Sequence, residues 1–192
     1  MRSCRSPFGS ARTSAGTHLL RPHNLGLTCK NMSPDIYQVE LIGSGSLSVM
    51  AKPVSGEWIE DEFSMISNWG INRIVSLLED QEAIEVGLGM ERQLAEKNGM
   101  EFVSYPIPDR GLPVSVNEYL NFTRRLYSEA AGGLHTVVHC RAGIGRTGII
   151  AAGVLLHCGF EPKEAFEHIS RKRGVVVPDT EAVSYTHLTL PT

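Results

Sequence analysis

The stretch HTVVHCRAGIGRTGIIAAGVLL, residues 135–156, holds a thiol, Cys140, and a guanidinium, Arg146, with five residues between them. That spacing alone is weak evidence, because a chain with this much Cys and Arg shows a Cys-x5-Arg match by chance roughly a quarter of the time. The neighbours sharpen it. Requiring His139 before the cysteine, Gly143 third after it and Thr147-Gly148 after the arginine lowers the chance expectation to about 10⁻⁵. Five residues between a strand end and a helix start can curl so that their N–H groups point inward, and Gly143 and Gly145 give the backbone the freedom this needs. The helix N-terminus beneath adds positive potential, which suits a dianionic phosphate. Arg146 can close such a cradle with a two-pronged fork that lysine lacks. The same field favours a thiolate at Cys140. A nucleophile inside an oxyanion cradle is equipped for phosphoryl transfer through a covalent intermediate.

The elements that must hold this loop can be read along the chain. IYQVELI alternates as a strand, GSGS at 43–46 turns the chain, and LSVMA is a second short strand. No GK[ST] follows GSGS, so it is a turn and not a nucleotide loop. Ile59, Phe63 and Ile66 sit at helical spacing, INRIVSLLE is a short apolar strand, and helix is expected again by about Met90, with Gly87 and Gly89 blurring its start. MEFVSYPI is another strand, running into the loop PDRGLP. The next helix opens on a Ser115–Glu118 capping-box spacing and places Val116, Tyr119, Leu120, Thr123, Leu126, Tyr127 and Ala130 on one face. Gly132-Gly133 stops it. LHTVVHC follows as a buried strand, TGIIAAGVLLHC as a helix apolar nearly all round, and a last helix starts at Pro162. Strands alternating with helices predict a single α/β domain with a central, mostly parallel sheet of four or five strands covered on both faces. The loop then lies at the carboxyl end of a strand, where open α/β sheets place their ligands.

HCRAGIGRTG resembles the signature loop of the cysteine-dependent protein phosphatases, His-Cys-x5-Arg-Thr-Gly. IPDRGLP resembles the acid loop of the small dual-specificity branch, and GVVVPDTE the segment after its last helices, so the likeness spans roughly residues 36–182. The resemblance implies a protein tyrosine phosphatase-like fold, no cofactor and no metal. It implies that Cys140 attacks phosphorus, and that Arg141, Ala142, Gly143, Ile144, Gly145 and Arg146 surround the phosphate. It further implies that Asp109 protonates the leaving oxygen and later activates water, that Thr147 hydrogen-bonds the sulfur, and that His139 orients the loop. Rival readings stand beside these. Asp80 is a second candidate acid or a helix cap, His139 a structural histidine, and Cys158 a packing residue or a redox partner of Cys140. Arg110 and Arg141 either steer anions or are simply solvated. The longer domain and tyrosine-bearing recognition loop of the tyrosine-specific enzymes are not found, and a shallow pocket accepting phosphoserine, phosphothreonine or phosphotyrosine is expected.

Composition narrows the remaining classes. Net charge is −3, yet residues 1–34 carry +5 with no acid, leaving a body of −8 that is a poor general nucleic-acid binder. No apolar run is long enough for a membrane span. The four cysteines, Cys4, Cys29, Cys140 and Cys158, show neither disulfide nor metal-ligand spacing, which predicts a reducing, cytoplasmic setting. Residues 1–34 read as a disordered or non-native extension, with Met32 an alternative start, or as a transit-like peptide. Residues 35–182 are expected to form a dual-specificity-phosphatase-like catalytic domain, and VSYTHLTLPT, residues 183–192, reads as a non-native tail. The expected partner is a phosphorylated protein, with no nucleic acid and no membrane, and oligomeric state is left open. The alternatives are a phosphatase for a phosphoinositide or an RNA 5′-phosphate end, and a phospho-binding module without catalysis.

Overall fold

The computed structural model describes residues 34–177; Cys4, Cys29, most of the N-terminal extension and the 183–192 tail fall outside them. Strands β1 (Tyr37–Ile42) and β2 (Gly45–Met50) form an antiparallel hairpin, its tip turned by Gly43 at φ 60°. A side chain is impossible there, because a Cβ on Gly43 would lie 2.4 Å from the carbonyl oxygen of Ala131. Three further strands, β3 (Arg73–Ser76), β4 (Glu101–Ser104) and β5 (His135–His139), complete a five-stranded sheet of order β1-β2-β5-β3-β4. The β2–β5, β5–β3 and β3–β4 pairings are parallel, so the carboxyl ends of four strands share one edge.

Both faces are covered, as the alternation of strands and helices predicts. Alternate β5 residues divide the core, with Val137 facing one layer and Val138 the other. Helices α1 (Ile59–Asn68) and α3 (Glu91–Lys97) close the Val137 side with Phe63, Ile66 and Leu94. Helices α4 (Val116–Ala131), α5 (Gly145–His157) and α6 (Pro162–Arg173) close the Val138 side. The expected face of α4 is largely right: Tyr119, Thr123, Leu126 and Ala130 are buried, while Val116 at its start is exposed. Helix α5 is buried from Arg146 through Leu155, which accounts for its apolar character all round. Gly153 is required within it, since an added Cβ would stand 2.3 Å from the Tyr119 hydroxyl, which donates to the Ile149 carbonyl at 3.0 Å.

One element departs from the sequence reading here, and one of its alternatives is removed. A short helix, α2 (Asp80–Glu85), precedes the helix expected near Met90; Gly87 at φ 79° separates it from α3. Cys158 is the C-cap of α5, at the opposite end of the helix from the Cys140 loop. Thirteen helical residues span about 20 Å, whereas a disulfide needs Cα atoms within about 7 Å. Cys158 therefore cannot protect Cys140 without unfolding the helix.

Candidate active site

Strand β5 ends at His139, and the loop Cys140–Ile144 leads directly into α5. Neighbouring strands brace it. Leu77 N–H donates to the His139 carbonyl at 3.0 Å on one side, and Lys52 N–H to the Arg141 carbonyl at 3.3 Å on the other. Gly143 makes the sharp bend at φ 69°, and a Cβ there would meet the Met50 carbonyl oxygen at 2.3 Å. Gly145 needs no such freedom, contrary to expectation: it is the first residue of α5 and keeps a negative φ. Among the described residues, no backbone carbonyl takes the N–H groups of Arg141, Ala142, Gly143 or Ile144. Those donors, and the unpaired N–H groups that open any helix, are available to an anion.

Cys140, Arg146, Thr147 and His139 are all buried, while Arg141 and Ala142 are exposed at the mouth. Arg146 is the most constrained of the set. Its two terminal nitrogens donate to the two oxygens of Glu82 at 2.6 and 2.8 Å, and Nη1 also donates to the carbonyl of Ile107 at 3.1 Å. Nη2 stands 3.2 Å from Oδ1 of Asp109, whose side chain is 59% exposed. Hydrogen bonding to Glu82 raises the Arg146 pKa and, against the opposing effect of burial, lowers that of Glu82. A cleft of about 320 Å³ opens beside this cluster, lined by Glu79, Gln81, Glu82, Glu85, Asp109 and Arg141.

The structure thus brings Cys140, Arg146, Thr147 and Asp109 to one strand-end edge. Of the two candidate acids, Asp109 reaches Arg146 and Asp80 does not; Asp80 is the first residue of α2 and lines a different cleft. Thr147 Oγ1 is buried without a hydrogen-bond partner, an unusual state for a hydroxyl, in the first turn above the loop. His139 is fully buried, with Nε2 2.6 Å from Oε1 of Glu91 and Nδ1 without a partner. Sequence reading missed both Glu82 and Glu91. The available signal for Glu82 is its place in the apolar-flanked LEDQEAIE segment, in the first turn of a helix too short for periodicity to register. Among the described residues, no group of three or more His, Cys, Asp or Glu could hold a metal ion, and no helix is long and apolar enough to cross a membrane.

This sheet order, with a cysteine-arginine loop between its central strand and a buried helix, defines the protein tyrosine phosphatase class of fold. Residues 48–160 match the profile of the family described as "Polymorphic toxin system, DSP-PTPase phosphatase", and the chain belongs to that family. Mouse protein tyrosine phosphatase type IVA 2 is 32% identical over 80 residues, which cover 41% of this chain and 47% of that protein. Human protein tyrosine phosphatase type IVA 3 is 32% identical over a stretch of the same length, covering 46% of its own. The chain spans about half the length of the curated relatives it matches. Among solved structures, Tk-PTP in its active form superposes with a TM-score of 0.63 at 27% identity, covering 80% of this chain and 94% of that one. A kinase-associated phosphatase superposes with a TM-score of 0.73 at 20% identity, covering 83% and 94%.

Proposed function

We propose that this chain hydrolyses phosphomonoesters of phosphorylated proteins through a phosphocysteine intermediate. One observation carries the reading: a buried arginine, pinned by Glu82 and the Ile107 carbonyl, stands beside a loop of free amides that contains a buried cysteine. Arg146 and the loop amides hold the three non-bridging phosphoryl oxygens. The Cys140 thiolate attacks phosphorus in line, the P–O bond to the substrate breaks, and Asp109 gives its proton to the departing oxygen. Water then attacks the phosphocysteine, Asp109 takes its proton, and the S–P bond breaks to return thiolate and inorganic phosphate. Thr147 Oγ1, which has no other partner, donates to the sulfur as it leaves. An open cleft beside the loop supports phosphoserine and phosphothreonine as substrates as well as phosphotyrosine. Free Cys140 and Cys158 fit a reducing, cytoplasmic setting.

Turnover of an aryl phosphate in the presence of a chelator tests the reading. The parent is expected to hydrolyse it, orthovanadate to inhibit, and Cys140→Ser to be inert. A folded parent without turnover overturns the enzyme reading. Comparing phosphopeptides with a phosphoinositide and a 5′-phosphorylated RNA under the same conditions separates protein from non-protein substrates.

A further inference from the structure

A loop that turns its amides toward a phosphate must turn carbonyls the other way, and those carbonyls need donors of their own. Here two consecutive ones share a single donor group. Arg173, in the last turn of α6, donates from Nη2 to the Ala142 carbonyl at 3.2 Å and from Nε to the Gly143 carbonyl at 3.4 Å. Its guanidinium lies 4.2 Å from the ring centroid of Tyr37, the first residue of β1. Both residues fall outside the 48–160 family match.

We infer that Arg173, held by Tyr37, is a positioning residue for the phosphate loop; this rests on the phosphatase reading above. Gly143 carries the left-handed turn, so the two peptide units around it are the ones most able to rotate and withdraw an amide from the phosphate. A planar guanidinium that bonds both carbonyls fixes both peptide planes at once. Lysine, with one point of charge, cannot do so. Stacking on Tyr37 holds the guanidinium plane against the loop. Arg173 is also well placed as a cation at a helix C-terminus, just before Gly174 at φ 75° ends α6. The charge sits behind the loop and adds to the potential felt by an anion in front of it.

The test compares full-length parent, Arg173→Met, Arg173→Lys, Tyr37→Leu and the Arg173→Met/Tyr37→Leu pair. It reads kcat and KM for an aryl phosphate, the inhibition constant of orthovanadate, and Tm. Arg173→Met is expected to lower kcat/KM and weaken vanadate by about tenfold, with Arg173→Lys recovering only part. Tyr37→Leu should cost about threefold, and the pair no more than Arg173→Met alone, since stacking acts through the arginine. Parental constants in a folded Arg173→Met overturn the inference, and so do losses that add in the pair. Should Arg173→Met not fold, parental constants in Arg173→Lys overturn it instead. A parent without turnover sinks the phosphatase reading; a working parent with indifferent variants sinks this inference alone.

Discussion

Glu82 and Arg146 meet fork to fork, two oxygens against two nitrogens at 2.6 and 2.8 Å, with the arginine side chain 3% exposed. A buried guanidinium without such a partner would have to find other acceptors or solvent. The carboxylate therefore sets where the fork points, which on the proposed reading happens before any phosphate arrives. Glu82→Gln keeps one acceptor and loses the other, together with the charge. Its kcat/KM for an aryl phosphate is expected to fall about 10- to 100-fold, with the larger part in KM. Steady-state kinetics checks this, and unchanged KM would detach Glu82 from phosphate binding.

The same pair makes a prediction about acid. Hydrogen bonding to Arg146 lowers the Glu82 pKa in the folded protein, so the unfolded chain binds that proton more readily. The stabilisation is fully present above the unfolded value of about 4.3 and is lost as pH falls through the depressed folded value. Melting curves from pH 7 down to pH 3 should show the parent losing its advantage over Glu82→Gln at the acid end. A constant difference across that range would contradict the linkage.

Asp109 is expected to matter in proportion to the difficulty of the leaving group. Asp109→Ala should slow a phosphoserine peptide by about 10²–10⁴-fold and an activated aryl phosphate much less. Equal slowing of both would take Asp109 out of proton transfer. The residue after it, Arg110, holds φ 54°, a left-handed conformation that non-glycine residues avoid.

His139 and Glu91 form a wholly interior pair, 0% and 3% exposed in their side chains. Glu91→Ala strands the imidazole and should cost about 1–3 kcal/mol, lowering Tm by roughly 3–10 °C. Glu91→Gln keeps a partner for Nε2 and should recover most of that loss. Thermal melts of the two variants decide it.

The left-handed bend at Gly143 gives a sharper case. Gly143→Ala faces both a positive φ and a Cβ placed 2.3 Å from the Met50 carbonyl. Backbone cannot yield as a flexible side chain does, so the loop itself must shift. The variant should fold, because the strain is local, but lose most of its vanadate affinity. Parental affinity in Gly143→Ala would show that the loop tolerates the displacement.

What the chain made legible was whatever depends on near neighbours. Strand β5, the glycine-bearing loop and the apolar α5 are contiguous, and their pattern announces them. Helix α2 escaped because it has only six residues and ends before a left-handed glycine, too short for periodicity to register. The supporting partners escaped for a different reason. Glu82 lies 64 positions from Arg146, Glu91 lies 48 from His139, and Arg173 lies 30 and 31 from the carbonyls it holds. Nothing in local spacing links such pairs; only the packing of α2, α3 and α6 around one strand end does. Asp109 is legible only through the resemblance of IPDRGLP to an acid loop, and its closeness to Arg146 depends on the Ile107 N–H bonding to the Leu77 carbonyl.

The sheet order has a consequence for how this molecule comes into being on the ribosome. Strand β5 is inserted between β2 and β3, both made long before it, so the hairpin and the β3–β4 pair must wait with an open seam between them. Until residue 139 has emerged and docked, each flank presents an unpaired edge, and the late arrival of such non-local pairings slows folding. The strand that closes the seam is the one that carries the loop. Sealing the sheet and assembling the candidate site are thus a single event, and a nascent chain halted before β5 has neither.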